Sequence, residues 1–471
     1  MSDRDLGHAA PRRAAIVVAA ALALLAACAT VPDYDLPDEQ TAAIAGKPRI
    51  DGASGPLSNR QSKALLAKLA PEPGDAGLLQ RHMAIEQAVA EGPLVAGNRT
   101  RILQDGAASF AAIFAAISGA RDNINLEFFL LEDVASDGES LGDLLIAKRQ
   151  EGVVVNMIYD SFGSSSTPAA FFDRLKRAGV TVVAFNPMNP LETRVPYAPN
   201  DRDHRKILIV DGTTAIIGGV NLSTTYQSSP LGKSGAPPGA ADEYWRDTDL
   251  QLDGPVVAQL QTLFFAHWAS QKGPPYPGAV YFPTISPQGH EVVRILASTP
   301  DRTVPRYYVT LLSAIRNAEK SIDASAAYFV PTHQEMEALI HAARGGVVVR
   351  LLLPDQSDSA RAIAVAHAHY DDLLEAGVQI FETHDLVLHS KCVVVDGVWS
   401  VLGSSNFDQR SVLFNDEVDA VVLGSATAQA LQQAFADDIA GATRIDLAAW
   451  RRRPLAQKLR ELLSRTWETL L

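Results

Sequence analysis

The chain of 471 residues is 47% hydrophobic and 20% charged, so it can bury two sizeable cores. Its formal net charge is −13. Residues 1–27 contain three basic and two acidic side chains, so the net charge of the rest of the chain is −14. This balance disfavours a nucleic-acid enzyme, which normally carries a basic surface.

The N-terminal segment has the pattern of an exported protein. Arg12 and Arg13 precede an apolar run over 14–27 that is too short to span a bilayer comfortably, which is typical of a signal peptide. It ends in Leu25-Ala26-Ala27-Cys28, which resembles the lipobox of bacterial lipoproteins. We therefore predict a signal peptide over 1–27, lipidation of Cys28 and an anchored, periplasm-facing envelope protein. Ala29 is not the Asp of an inner-membrane retention signal, which favours the outer membrane.

Residues 28–95 are rich in Pro, Asp and Ala, with a short helical pattern at 61–69, and are interpreted as a tether and support segment. The second cysteine, Cys392, lies in an apolar run and is expected to be a small buried residue rather than a disulfide partner. No Cys/His cluster has metal-ligand spacing, so we expect no metal and no cofactor.

Two segments of the chain repeat one pattern with identical internal spacing. Each has His-x-Lys, then Asp, then a polar turn that ends in Asn. The first copy is His204, Lys206, Asp211 and Gly218-Gly219-Val220-Asn221, and the second is His389, Lys391, Asp396 and Gly403-Ser404-Ser405-Asn406. Two copies make a catalytic role far more plausible than one would.

The residue types suit the handling of a phosphodiester. His and Lys stand two apart at the start of a β-branched apolar run, so both point to one face of a buried strand. Imidazole can attack or protonate, and ammonium can hold an anion. Asp211 and Asp396 precede glycines, and we expect them to support the site from turns rather than to contact substrate.

Catalytic imidazoles need a partner on the second ring nitrogen. Alignment of "WRDTDLQL" with "FNDEVDAVV" places Asp247 opposite Glu417. We expect Glu417 to orient His389 and Asp247 to orient His204. Asp249 is an equally near alternative to Asp247, and the plain alternative is a surface strand with ordinary charges.

The repeat extends beyond the motifs. Each half alternates helix and strand before its motif strand, which predicts an α/β fold with helices covering the apolar strands. We predict a first lobe over 96–272, a linker over 273–289 and a second lobe over 290–445. The Gly- and Pro-rich stretch 228–241 is expected to be a mobile loop beside the site.

Residues 446–471 combine cations with leucines at helical spacing, which predicts a basic amphipathic helix. Such a helix could lie on anionic lipid, although packing on the core is the commoner fate.

The duplicated motif resembles that of the phospholipase D superfamily, and Gly219 is the one departure, since the family often has Ser there. Segments such as "GSSNFDQRSVLFNDE" and "NDRDHRKILIVDG" resemble bacterial cardiolipin synthases from about residue 98 to the C-terminus. The resemblance implies duplicated α/β/α sandwich lobes with one shared active site at a pseudo-twofold axis.

It also implies phosphatidyl transfer through a phosphohistidine, with phosphatidylglycerol as donor and acceptor. His204 is favoured as nucleophile and His389 as acid and base. Lys206, Lys391, Asn221, Ser404 and Asn406 would bind the phosphate oxygens. Phospholipid hydrolysis is the alternative, a nuclease fits the charge poorly, and an inactive envelope scaffold is disfavoured because both motifs are intact.

Overall fold

The computed structural model describes residues 31–34, 49–70, 72, 74–89, 92–193, 195–227, 244–300 and 304–470. The predicted signal peptide and lipidated Cys28 therefore lie outside the described residues. The predicted loop 228–241 lies outside them too.

The support segment forms a β-hairpin and two helices. These are β1 (Ile50–Gly52), β2 (Gly55–Pro56), α1 (Asn59–Leu69) and α2 (Asp75–Val89). Helix α1 agrees with the helical pattern at 61–69, and it begins with a capping box between Ser58 and Gln61. Leu78, Leu79 and Met83 of α2 pack into the core of the second lobe.

The described part of the first lobe contains four helices and eleven strands. Its elements are β3 (Leu94–Gln104), α3 (Asp105–Gly119), β4 (Asn123–Phe128), β5 (Ala135–Ser136), β6 (Glu139–Ser140), α4 (Leu141–Gln150), β7 (Val154–Asp160), α5 (Ala169–Arg177), β8 (Thr181–Phe185), β9 (Arg202–Asp203), β10 (Lys206–Val210), β11 (Thr214–Gly218), β12 (Tyr244–Arg246), β13 (Thr248–Asp253) and α6 (Val257–Ser270), with a 3-10 helix at Thr224–Gln227.

The second lobe repeats this alternation. Its elements are β14 (Glu291–Ser298), α7 (Arg306–Arg316), β15 (Ser321–Ala326), α8 (His333–Arg344), β16 (Val348–Pro354), α9 (Ala360–Ala376), β17 (Gln379–Thr383), β18 (Leu386–Leu388), β19 (Lys391–Val395), β20 (Trp399–Gly403), α10 (Gln409–Leu413), β21 (Asn415–Leu423), α11 (Ser425–Ala440) and β22 (Thr443–Arg444).

The two sheets have the same strand order. The first runs β8, β7, β4, β10, β11, β13, β3, and the second runs β17, β16, β15, β19, β20, β21, β14. Strands β3 and β14 pair antiparallel at the centre and join the sheets. The motif strands β10 and β19 are therefore equivalent, and each lies fully inside its own sheet.

Three large apolar clusters fix this arrangement. One packs α3, α4 and α5 on the first sheet, and a second packs α7, α8, α9 and the support helices on the second sheet. The third combines strand residues of both sheets, such as Ile207 and Val418, with α6 and α11. The duplicated α/β fold is confirmed, and each sheet is covered on one side by helices and on the other by helices together with the opposite sheet.

The C-terminal prediction needs one correction. The segment is not a single helix but α12 (Leu447–Arg451), α13 (Leu455–Ser464) and a 3-10 turn (Arg465–Leu470). Pro454 separates the helices because it has no N–H to donate and disfavours helical backbone at the residue before it. Among the described residues, no helix has the length and apolarity needed to cross a membrane.

Candidate active site

The two motifs meet where short strands from opposite lobes pair. Strand β9, just before His204, runs parallel to the start of β21, and the His204 N–H donates to Asp416 O at 2.9 Å. Strand β18, just before His389, runs parallel to β12, and the His389 N–H donates to Arg246 O at 2.7 Å. These strand pairs place the imidazole of His204 beside Glu417 of β21, and that of His389 beside Asp247, which follows β12.

His204 is held by Glu417. Its Nδ1 atom lies 3.0 Å from both carboxylate oxygens of Glu417. That carboxylate also accepts hydrogen bonds from Ser404 Oγ at 2.5 Å and Asn415 Nδ2 at 3.1 Å. Burial lowers the pKa of His204 to about 4, although Glu417 opposes the shift. Because Nδ1 of His204 is hydrogen-bonded to Glu417, Nε2 is the ring nitrogen that could react with a substrate.

His389 is held by Asp247. Its Nδ1 atom lies 2.6 Å from Asp247 Oδ2, and Asp247 Oδ1 accepts from the Thr248 N–H at 2.8 Å. Burial and the nearby Lys391 ammonium lower the pKa of His389, which Asp247 opposes. Both imidazoles are therefore neutral near pH 7 in the free protein.

The expected pairing of histidines and carboxylates is wrong. Glu417 and Asp247 are both used, but each partners the histidine of the other lobe. The reason is the parallel contact of β9 with β21 and of β12 with β18, which the alignment of the repeats could not reveal. Asp249, the other possibility, instead accepts from the Val220 N–H at 3.1 Å behind the site.

The two lysines point into the same region as the histidines. Lys206 Nζ donates to His204 O and Lys391 Nζ donates to His389 O, each at 2.5 Å. Burial lowers the pKa of Lys206 to about 7 and lowers that of Lys391, and nearby carboxylates oppose both shifts. An anion that enters between these two groups would favour the protonated form of both.

The polar turns have unequal roles. Asn221 accepts from the Leu130 N–H at 3.2 Å and donates to Tyr226 Oη at 3.3 Å, so it braces the first half-site. The Ser404 hydroxyl proton is directed at Glu417 rather than towards an incoming phosphate. Asn406 lines the pocket, and its buried Oδ1 has no hydrogen-bond partner among the described residues.

Asp211 and Asp396 lie at the far ends of the motif strands, with φ of 52° and 55°. Each carboxylate accepts three backbone N–H groups, from 121–123 and from 319–321 respectively. Asp396 also contacts His82 Nε2 of helix α2 at 3.0 Å. Their geometry is that of turn supports, as the sequence indicated.

A pocket of about 500 Å³ opens at His204. Its walls are mostly apolar, with Phe129, Phe162, Met188 and Val330 among them. The remaining lining residues are Pro199, Asn200, Arg202, His204, Tyr328, Ser359, Ala362, Asn406, Asp408, Arg410 and Asn415. Phe162 and Met188 are about half exposed at the mouth, which makes the entrance apolar as well.

The aromatic side chains around the histidines belong to neither motif, and they were not predicted. Phe129 lies edge-on to His204 with ring centroids 5.3 Å apart, and Tyr328 lies edge-on to His389 at 5.9 Å. Each ring also faces its lobe's lysine, at 5.4 Å and 5.9 Å. Phe129 is the first residue after β4 and Tyr328 is the second after β15, so the repeat indicates an aromatic side chain near the end of each strand but does not align the two.

A buried charge network lies behind His204. Glu127, Asp203 and His267 present oxygen and nitrogen atoms within 4.8 Å of one another, as metal ligands do. Two basic side chains form ion pairs with Glu127. His267 Nδ1 lies 2.7 Å from Glu127 Oε1, and Arg205 Nη1 lies 3.3 Å from the same oxygen. Burial disfavours protonation of His267, but Glu127 and Asp203 raise its pKa to about 10. We interpret the network as an ion-pair cluster that braces β9.

The chain is similar to known proteins of one family. The family described as "Cardiolipin synthase, PLD-like domain" matches residues 113–229 and 311–439. A cardiolipin synthase of Alkalihalophilus pseudofirmus is 33% identical over 80% of this chain and 73% of its own length. One of Geobacillus thermodenitrificans is 33% identical over 81% of this chain and 74% of its own.

The fold has a counterpart among solved structures. A phosphatidylserine synthase of Haemophilus influenzae Rd KW20 superposes with a TM-score of 0.58, covering 84% of this chain and 100% of that one. The two are 13% identical, so this likeness concerns the fold alone.

Proposed function

Because this chain belongs to the cardiolipin synthase family with phospholipase D-like domains, we propose that its two motifs transfer a phosphatidyl group between phospholipids through a phosphohistidine. The observation that carries the proposal is the pair of crossed dyads, His204 with Glu417 and His389 with Asp247. Each dyad leaves one imidazole Nε2 available beside a buried lysine, which is what a two-step displacement at phosphorus requires.

In the first step His204 Nε2 forms a bond to the phosphorus of phosphatidylglycerol while the bond from phosphorus to the glycerol oxygen breaks. His389 gives a proton to that oxygen, and glycerol leaves. In the second step His389 removes a proton from a hydroxyl of a second phosphatidylglycerol, whose oxygen displaces His204. The products are cardiolipin and the original enzyme.

Three groups would bind the non-bridging oxygens, where negative charge accumulates: Lys206, Lys391 and Asn406. The neutral imidazole of His204 suits attack. His389 acts as an acid only when protonated, and the anionic diester favours that proton by offsetting the lysine charge that lowers its pKa.

The pocket supports a lipid donor over a nucleic acid. A nucleic acid would be bound by cations along its backbone, whereas Phe129, Phe162, Met188 and Val330 offer apolar surface beside His204. A phospholipid has both parts, a phosphodiester for the histidines and a glycerol with acyl chains for the apolar wall.

His204 is the proposed nucleophile. It lines the pocket that admits substrate, and its side chain is 12% exposed, against 7% for His389. His389 lies deeper, between the rings of Tyr226, Trp245 and Tyr328.

We propose that the protein works at the periplasmic face of the bacterial envelope, with the outer membrane favoured. The lipobox-like Leu25-Ala26-Ala27-Cys28 supports a lipid anchor at Cys28. Helix α13 supports a second contact, because Leu455, Leu459 and Leu462 are exposed beside Lys458 and Arg460.

The test uses the purified protein with phosphatidylglycerol in detergent micelles, with and without added glycerol. Cardiolipin as product, with reversal by glycerol, is expected from transfer. Phosphatidic acid as the main product would make the protein a hydrolase, and the absence of both would contradict lipid phosphodiester chemistry altogether.

Histidine variants separate the two steps. His204→Ala and His389→Ala should each lower turnover roughly 10²- to 10⁴-fold. A phosphatidyl donor with a nitrophenol leaving group needs no acid, so His389→Ala should still form the phosphoenzyme, detected by mass spectrometry after rapid quenching. An adduct that persists in His204→Ala would assign the nucleophile to His389.

A further inference from the structure

Tyr226 lies outside both repeated motifs, yet it contacts a catalytic imidazole. It belongs to the 3-10 helix Thr224–Gln227, and its side chain is buried. Its hydroxyl lies 3.1 Å from His389 Nδ1, and its ring is edge-on to His389 with centroids 5.9 Å apart. Burial and the nearby Asp247 carboxylate raise the pKa of Tyr226 well above its ordinary value, so the phenol keeps its proton.

The two half-sites support their carboxylates differently. In one, Ser404 donates to Glu417 Oε2 at 2.5 Å. The equivalent position in the other is Gly219, and a Cβ atom built there would overlap the carboxylate of Asp247. Asp is one methylene shorter than Glu, so its carboxylate lies closer to the backbone, over Gly219. A serine hydroxyl therefore has no room in this half-site.

The number of carboxylate contacts differs as well. Both oxygens of Glu417 lie within 3.0 Å of His204 Nδ1, whereas only Oδ2 of Asp247 bonds His389 Nδ1. An imidazole with a single carboxylate contact can turn about its Cβ–Cγ bond, where torsional preferences are broad. Two further groups contact the same nitrogen, Lys391 Nζ at 3.0 Å and the Tyr226 hydroxyl at 3.1 Å. Of these two, only Tyr226 comes from the other lobe.

Tyr226 is itself held in place. Asn221 of the first polar turn donates from Nδ2 to Tyr226 Oη at 3.3 Å, and Asn221 accepts from the Leu130 N–H. The ring packs edge-on to Trp245 with centroids 5.3 Å apart. A buried side chain with these contacts can transmit the position of the first motif's turn to the second motif's histidine.

We propose that Tyr226 is a positioning residue for His389, and that its hydroxyl does for this half-site what Ser404 does for the half-site of His204. One half-site braces the carboxylate, and the other braces the imidazole itself. This inference rests on the proposed function for its catalytic consequence, but the contact can be tested without turnover.

Tyr226→Phe removes the hydroxyl and keeps the ring. We expect kcat for the natural lipid to fall by roughly 10- to 100-fold, the scale of a misplaced catalytic group, with KM within about twofold. Phosphoenzyme formation from the nitrophenol donor should be nearly unchanged, because that step does not need His389. Tyr281→Phe is the matched control, since its hydroxyl donates to Pro277 O at 2.9 Å in the interlobe segment.

The independent readout is the ¹⁵N NMR spectrum of protein labelled at histidine, with resonances assigned from the His204→Ala and His389→Ala variants. Tyr226→Phe should shift the Nδ1 resonance of His389 and leave that of His204 in place. An unshifted His389 resonance overturns the inference whether or not the protein transfers lipid. A shifted resonance with an unchanged kcat also overturns the inference, because the contact would then exist without contributing to catalysis. If the unaltered protein neither transfers nor hydrolyses lipid, the proposed function fails while the spectrum still decides the contact.

Discussion

His204 and Glu417 are 213 residues apart in the chain, and Nδ1 of the first lies 3.0 Å from both carboxylate oxygens of the second. The reciprocal contact joins His389 to Asp247 at 2.6 Å. Each motif histidine is therefore oriented by the opposite lobe, so neither of these two His–carboxylate pairs lies within a single lobe. The site exists only while β9 lies against β21 and β12 lies against β18.

The crossed pairing makes the carboxylate variants distinguishable. Glu417→Gln should slow phosphoenzyme formation from the nitrophenol donor roughly 10²- to 10⁴-fold, because the nucleophile loses its anionic partner. Asp247→Asn should spare that reaction and impair transfer from phosphatidylglycerol instead. Burial and the nearby Asp247 raise the pKa of Asp249 to about 8, so Asp249→Asn replaces a carboxyl that is mostly protonated at pH 7 and serves as control. If Asp247→Asn slowed phosphoenzyme formation and Glu417→Gln spared it, each histidine would be paired with the carboxylate of its own lobe.

Gly219→Ser should damage the site, although it makes the first motif match the second. The new side chain meets the Asp247 carboxylate, and overpacking of a buried position costs about 1–3 kcal/mol. We expect a lower free energy of unfolding in urea and a lower kcat. Ser404→Gly, at the equivalent position, removes a contact and creates no overlap. If Gly219→Ser were as stable and active as the original chain, the account of the two unequal half-sites would be wrong.

Phosphoenzyme formation from the nitrophenol donor, which needs no acid from His389, should depend on pH through His204 and Lys206. The pKa of His204 is lowered to about 4, so its neutral, attacking form is lost only as the pH falls through that value. The pKa of Lys206 is lowered to about 7, so its positive charge is lost as the pH rises through that value. We predict a bell-shaped profile of kcat/KM with limbs near these two values. Lys206→Arg should move the alkaline limb upward, and an unmoved limb would assign it to another group.

His267 should stabilise the fold at low and neutral pH. Its pKa is raised to about 10 in the folded chain, against an ordinary 6.5, so folding favours its protonated form. That contribution is fully present below pH 6.5 and is lost as the pH rises through about 10. His267→Gln should therefore lower the free energy of unfolding more at pH 6 than at pH 10. A difference that is constant across this range would mean that His267 is neutral in the fold.

Cys28→Ser should abolish incorporation of labelled fatty acid when the full chain is expressed in a bacterium with lipoprotein processing. Activity on detergent-dispersed lipid should remain, because the two motifs lie far along the chain from this position. Cys392→Ser is the control and should leave labelling intact. Fatty acid on the Cys28→Ser protein would rule out the proposed lipidation site.

Much of the protein was predictable from local pattern. The β-branched runs after His204 and His389 predicted the motif strands, and their equal spacing predicted a duplicated fold with one site. The turn roles of Asp211 and Asp396 followed from the glycines after them, and each carboxylate does accept three backbone N–H groups. These features depend on neighbours within a few residues or on the repeat itself, and both are visible in the sequence.

The tertiary structure decided what depends on contact between the lobes. Alignment identified Glu417 and Asp247 as equivalent but could not say which histidine each would meet, because that choice is made by two short parallel strand pairs between distant segments. Tyr226 carries no motif, and only the packing of Thr224–Gln227 brings its hydroxyl to His389. Only the structure explains why the first motif has Gly219 where the second has Ser404, because the Asp247 carboxylate fills the space that a side chain at 219 would need. The sequence by itself determined which chemical groups the protein has and how each half folds, and the docking of the halves determined which groups work together.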